Sequence, residues 1–284
     1  MEKKICLIIV YFGKLPFWLP AFQLSCRHNP NVDWMIFVDD EMPPDPPDNV
    51  RYIKSSWESF NQIASHKLGF PVNITNAFPY KMCDYKPLLG KIYEDLLANY
   101  DFWGHCDIDI IWGNIRKYIS DSLLDNYDMI TSRPYRISGH FCLYRNKERF
   151  NHLFKEVPGA QVKLSVWQQY LGFDESELTQ YIKNINKKNI FNELRVKLFG
   201  GNRKPAIRIY WDEVLTSSGR HQRMVNNETG LFLKWKEGSC YHVDGSELMY
   251  LHFHKLKNKL KGIDFGYSAK PSEIIITESN ILSR

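Results

Sequence analysis

Phe102-Trp-Gly-His-Cys-Asp107-Ile-Asp109-Ile-Ile-Trp-Gly113 is the stretch that decides the fold reading. Phe102 and Trp103 lead an apolar strand, and two carboxylates one residue apart interrupt it before Ile110 and Ile111 resume. Charges set in so apolar a frame are costly unless a partner or ligand uses them. A solvated acidic turn is the plainer alternative, since a D-x-D occurs often by chance. The frame of Phe102, Trp103, Ile108, Ile110 and Ile111 argues against it, because it puts the pair at the end of a strand in mid-sheet. There Asp107 and Asp109 offer oxygen ligands to Mg²⁺ or Mn²⁺. Such an ion bridges the two phosphates of a nucleotide diphosphate and offsets the charge that grows as it leaves.

Upstream, Ile5–Val10 is a continuous apolar run, as expected of a strand covered on both faces. Tyr11-Phe12-Gly13 ends it, and Leu15–Ser25 reads as a helix. Trp34–Val38 repeats the strand pattern and stops at Asp39-Asp40; a proline-rich loop and a short strand, Val50–Ile53, follow. Ser55-x-x-Glu58 predicts a capping box opening a helix to about Lys67. Pro87 marks another helix start, with Leu88, Leu89, Ile92 and Leu96 at helical spacing.

Downstream, Asp128–Thr131 and His140–Tyr144 are strand candidates, while residues 146–156 and 175–200 look helical. From Leu231 the character becomes β-rich: Leu231–Trp235, Cys240–Val243 and Met249–His254. Alternating strand and helix followed by β segments predicts an α/β fold with a mostly parallel sheet, flanked by helices, and a smaller β-rich C-terminal part. Ligands in such sheets sit at the carboxyl ends of strands, where Tyr11-Phe12-Gly13, Asp39-Asp40 and Asp107–Asp109 all fall.

Four further groups carry candidate chemistry. Tyr250-Leu-His252-Phe-His254-Lys255 puts two histidines on one strand face, where either completes a metal shell and Lys255 meets phosphate. Asp84 and Lys86 precede a helix and reach a ligand's hydroxyls and phosphates, unless Asp84 is simply a helix cap. Ser138-Gly139-His140 enters a strand through a glycine that lets backbone approach a ligand. Asp174 and Glu175 lie on a loop before a helix, placed to bind acceptor hydroxyls or act as a base, or only to meet the helix dipole.

The composition narrows the class. The 284 residues carry a net charge of +5, too balanced to argue for nucleic acid. Six cysteines without a C-x-x-C pair suit a reducing cytoplasm better than a disulfide scaffold. The opening apolar run is too short for a membrane span and reads as a strand rather than a signal peptide.

Taken together, Lys81–Pro87, Tyr100–Asp109 and Ser138–Phe141 resemble bacterial GT-A glycosyltransferases of capsule and lipopolysaccharide gene clusters. The order is also similar to that of glycogenin-like and lipopolysaccharide galactosyltransferases. The resemblance implies a GT-A-like single domain, with residues 1–146 binding a nucleotide sugar, a UDP-sugar by preference, and 147–284 binding the acceptor. It implies Asp107, Asp109 and His252 as ligands of Mn²⁺ or Mg²⁺, Asp39 at the base or ribose, and Lys86 and Lys255 near phosphate or donor sugar. The late motif departs from the glycogenin-like one, lacking the glycine and Lys-Pro-Trp that follow there, so its histidine is the weaker part of the set. Retention or inversion stays open. A sugar nucleotidyltransferase is disfavoured because only Gly13 stands where a glycine-rich phosphate loop belongs; a non-catalytic carbohydrate-binding protein is the other rival.

The resemblance also implies a saccharide or polyprenyl-diphosphate-linked acceptor. Two basic segments fit peripheral contact with the anionic inner face of the cell membrane. One holds Lys183, Lys187, Lys188, Arg195, Lys197, Arg203 and Lys204 beside a Phe191/Leu194/Leu198 stripe; the other holds Lys255, Lys257, Lys259 and Lys261.

Overall fold

The computed structural model describes residues 2–187, 206–211, 231–242, 245–254, 256–277 and 279–284. Its framework is a seven-stranded sheet. β1 (Ile5–Tyr11), β2 (Val32–Val38), β3 (Val50–Lys54) and β4 (Phe102–Cys106) run parallel, with β1 between β2 and β4. A short β5 (Ile110–Trp112) follows β4 outside this sheet. β6 (Met129–Thr131), β7 (Phe141–Arg145) and β8 (Ile209–Trp211) complete the order β3-β2-β1-β4-β7-β6-β8, in which β7 alone runs against its neighbours. This is the α/β class expected, with a mostly parallel sheet between helices and a β-rich C-terminal part.

Burial explains the unbroken apolar runs. Along β1, Cys6 and Ile8 enter one core while Ile5, Leu7 and Ile9 enter the other; Met35 and Phe37 oppose Trp34, Ile36 and Val38 in the same way on β2. Helix α2 (Trp57–Leu68) covers the first face with Phe60, Ala64 and Leu68, one side chain per turn. Helix α1 (Leu19–Arg27) covers the second with Leu19, Phe22 and Cys26, and turns Ala21 and Leu24 towards a third core. Eight of its nine residues are buried because it is covered on both sides.

That third core belongs to a second sheet. β9 (Leu231–Lys236), β10 (Ser239–His242) and β11 (Glu247–Leu248) pair antiparallel in series. β12 (Tyr250–His252) leaves them to pair with β5, setting His252 opposite Ile110. β13 (Gly262–Ile263), β14 (Glu273–Thr277) and β15 (Asn280–Ser283) close the sheet in the order β11-β10-β9-β14-β15-β13.

Three local expectations are corrected. The cap of α2 is Ser56, whose hydroxyl accepts from the Ser59 amide, so the motif stands one residue beyond Ser55-x-x-Glu58. The first helix begins at Leu19, with Pro20 in its first turn, rather than at Leu15. Pro87 opens no long helix: Pro79–Leu96 is a chain of short helical turns in which it is one step. Leu89 and Ile92 still pack on the sheet, which is why the apolar spacing looked helical.

Candidate active site

β4 ends at Cys106, and the Asp107 amide donates to the His140 carbonyl on the entry to β7. The next turn is pinned twice, by Trp18 Nε1 donating to the Ile108 carbonyl and by the Phe253 amide donating to that of Asp109. The β5–β12 ladder thereby brings the late histidines onto the acid pair. His252 Nε2 lies 3.3 Å from Asp109 Oδ1 and 3.8 Å from Asp107 Oδ2. His254 Nδ1 lies 3.7 Å from Asp109 Oδ2 and is half-exposed.

Two lysines complete the group. Lys86 Nζ donates to Asp107 Oδ1 at 2.5 Å and to the Gly139 carbonyl at 2.7 Å; Lys257 Nζ donates to Asp109 Oδ2 at 2.9 Å. Burial works against charge on Asp109, yet its bonds with His252 and His254 and the charge of Lys257 hold its carboxyl well below the usual range. Burial likewise opposes the Lys86 ammonium, but Asp107 beside it keeps its pKa well above the ordinary value. His140 stacks on His252 with ring centres 4.1 Å apart. Burial, then His252, pushes its own pKa well down, so it packs and accepts as a neutral ring.

The donor set fits a divalent cation. Ligand atoms of Asp109, His252 and His254 lie within 4.8 Å of one another, close to the roughly 4.2–4.4 Å between opposite ligands of a cation with bonds of about 2.1–2.2 Å. Carboxylates suit Mg²⁺ and Mn²⁺ alike, whereas imidazole nitrogens favour the transition metal. Lys86 and Lys257 supply the neutralising charge here, each on one aspartate.

These groups line an open cleft of about 750 Å³. Its other wall carries Asp174 and Glu175, on a π-helical turn opened by Gly172, together with Arg133 and Arg136. Asp174 accepts from Tyr170 Oη at 2.9 Å, and burial pushes its carboxyl up to about 7, with Lys86 drawing the other way. Glu175 accepts from the Gly139 amide at 2.9 Å and from both arginines. Gly139 is the contact between the walls: a Cβ there would stand 2.7 Å from Asp174 Oδ2 and 2.9 Å from Glu175 Oε1. Cys83 also lines the cleft, but burial pushes its thiol up to about 12, which keeps it neutral and a poor nucleophile.

The remaining candidates are dispersed. Tyr11 lines the cleft, while Phe12 packs edge-on against Trp57 beside an adjoining cavity of about 350 Å³. Asp39 receives the Gly13 amide at 2.6 Å, where Gly13 has a φ of 110°; neither lines the cleft. Asp84 is no cleft residue. It is fully buried in an ion pair with Lys81 at 2.8 Å and accepts the Leu171 and Phe173 amides, anchoring the turn that carries Asp174. Lys255 lies outside the described residues, and Lys257 is the lysine seen on Asp109. Lys257, Trp18, Tyr170, Arg133 and Arg136 are site residues that sequence reasoning missed, although Lys257 stood in the basic C-terminal run.

The sequence profile of the family of unknown function DUF6625 matches residues 7–284. The chain belongs to the DUF6625 family. No curated protein matches this DUF6625 chain. Among solved structures, it is similar to an active-site mutant of LgtC, at 12% identity and a TM-score of 0.42 over 87% of this chain and 86% of that one. It is also similar to galactosyltransferase LgtC in complex with donor and acceptor sugar analogues (12% identity, TM-score 0.33, covering 62% and 69%). The apo glycosyltransferase GlyE of Streptococcus pneumoniae TIGR4 follows at 13% identity and a TM-score of 0.31, covering 66% of the DUF6625 chain and 44% of its own. Likenesses this weak leave the reading of the site to its own geometry.

Proposed function

We propose that this DUF6625 chain is a metal-assisted glycosyltransferase that moves a sugar from a nucleotide-diphosphate sugar, a UDP-sugar by preference, to a saccharide or lipid-linked saccharide. The observation that carries it is the Asp107–Asp109 pair at the end of the mid-sheet strand, met by His252 and flanked by Lys86 and Lys257 in a cleft roomy enough for two substrates. Asp107, Asp109 and His252, with His254 at the rim, would hold Mn²⁺ or Mg²⁺. When bound, that cation neutralises charge on the departing nucleoside diphosphate.

The chain's own groups do the rest. Lys86, fixed between Asp107 and the Gly139 carbonyl, keeps one ammonium at the cleft floor and favours anionic donor groups there. Lys257 does the same on the opposite side of Asp109. Tyr11 and Trp18 wall the donor side and limit water around the diphosphate. Asp174, held by Tyr170 and titrating near neutrality, is suited to exchange a hydrogen bond or proton with an acceptor hydroxyl. The donor falls to the 1–146 half, with His252 and Lys257 reaching back to it, and the acceptor mainly to the 147–284 half, whose wall Arg133 and Arg136 join from the first half. A surface-polysaccharide role with acceptors at the inner membrane face belongs to the same reading. Among the described residues no helix is long and apolar enough to cross a membrane. Most of the first basic segment lies outside the described residues.

The test is a panel of nucleotide sugars with and without Mn²⁺, read by melting temperature and by release of nucleoside diphosphate. A Mn²⁺-dependent rise in Tm with at least one donor, together with slow hydrolysis, is expected. His252→Ala should raise the Mn²⁺ needed for half-maximal release about tenfold or more, and His254→Ala less. If no nucleotide sugar shifts Tm in either condition, the reading fails.

A further inference from the structure

Gly139 stands between two charged clusters. Its carbonyl accepts from Lys86 on the side of Asp107, and its amide donates to Glu175 on the side of the arginines. On the acid-pair side each lysine meets its own aspartate. On the other side two guanidinium groups share the single carboxylate of Glu175. One positive charge is therefore in excess there, and Asp174 beside it, pushed up to about 7, does little to offset it below neutrality.

The two arginines also retain donors. Each guanidinium carries five N–H groups. Among the described residues their hydrogen bonds are Arg133 Nη1 to Glu175, and Arg136 Nη2 to Glu175 and to Ser176 Oγ. Their side chains are 37% and 47% exposed, and both line the cleft. Between them in sequence, Tyr135 holds a φ of 61° and is 76% exposed. A bulky residue in the left-handed region is strained, and such strain gathers at ligand-binding positions. Here it holds an exposed aromatic side chain in the short loop between the two arginines.

We infer that the Arg133–Arg136 loop is an acceptor subsite for an acidic saccharide, the arginine forks taking a carboxylate or phosphate on the sugar and Tyr135 stacking on its ring. This rests on the glycosyltransferase reading and names the class of acceptor. The forks are preorganised by Glu175, so an anion meets aligned donors rather than mobile side chains. A neutral acceptor would leave the excess charge unmatched.

Calorimetric titration of the full chain, with UDP and Mn²⁺ present, tests it using one disaccharide in three forms. Its terminal hydroxymethyl group is left free, oxidised to a carboxylate, or phosphorylated. At least one anionic form should bind about tenfold or more tightly than the neutral one; the form preferred tells whether the acceptor bears a uronate or a phosphate. Arg133→Gln and Arg136→Gln, each checked for fold by circular dichroism, should each cut that preference several-fold, and the double variant should abolish it. Equal binding of the three forms, binding of none, or a preference that survives in the double variant overturns the inference. Absence of any Tm shift of the wild type across the whole panel of nucleotide sugars with Mn²⁺ counts instead against the glycosyltransferase reading, so the two failures are distinguishable.

Discussion

Asp109 is 3% exposed and faces three basic groups, so its charge is built into the fold as well as the cleft. Asp109→Asn keeps the shape and removes the charge. We expect nucleoside diphosphate release to fall about 100-fold or more. The stability loss should stay below about 3 kcal/mol, because Lys257 and His254 can hydrate once released. Turnover at saturating Mn²⁺ beside circular dichroism reads both; near-normal turnover in a folded variant removes Asp109 from the site. Asp174 makes the opposite case. Its folded pKa, raised from 3.8 to about 7, means that the folded chain keeps a proton the unfolded chain gives up. Folding is favoured by this group at low pH, and that contribution is lost between about pH 4 and pH 7, up to roughly 4 kcal/mol in all. Asp174→Asn, which cannot ionise, should gain stability relative to wild type across that window and hold the gain above it. Urea midpoints at pH 4.5, 6 and 8 measure the gain; a pH-independent difference means that Asp174 does not titrate near 7.

At the scale of elements, helix α2 tests the corrected capping assignment. Ser56→Ala should cost about 1 kcal/mol, since the Ser59 amide loses its acceptor, while Ser55→Ala should stay within about 0.5 kcal/mol. Comparable losses from both would return the cap to the earlier position. The one-residue shift shows what local pattern resolves: a serine followed by a helix is legible, but which of two adjacent serines caps it depends on how the chain leaves β3. Strands were the most legible elements, because Ile5–Tyr11 and Val32–Val38 are covered on both faces and admit little but apolar side chains. The turns of Pro79–Leu96 were not, since packing on the sheet imposes an apolar spacing that a continuous helix would also show. In the candidate site, the placing of Asp107 and Asp109 at a strand end was legible from their apolar frame, and that of His252 from the alternation of its strand. The burial of Asp84 away from the cleft was not legible, because its partners, Leu171 and Phe173, are far along the chain. Lys257 and the two arginines were missed for the same reason.

Across the whole molecule, the two sheets share parts. Helix α1 faces both cores, and the β5–β12 ladder sends Trp112 and Tyr250 into one and Ile111 and Leu251 into the other. Trp235 of the smaller sheet donates to the Trp112 carbonyl. Unfolding in urea should therefore be one transition, with tryptophan fluorescence and far-ultraviolet ellipticity coinciding. Two separated transitions would mean that the sheets hold independently. The same ladder has a consequence in time. Asp109 lies on a stretch the ribosome finishes early, whereas His252 emerges many seconds later at roughly 5–20 residues per second. A nascent chain thus displays its carboxylates before it owns the two histidines, His252 and His254, that the fold sets beside them. Cation capture by the proposed set of ligands would have to wait for β12 to dock on β5, so a tightly held ion would report that this ladder has closed.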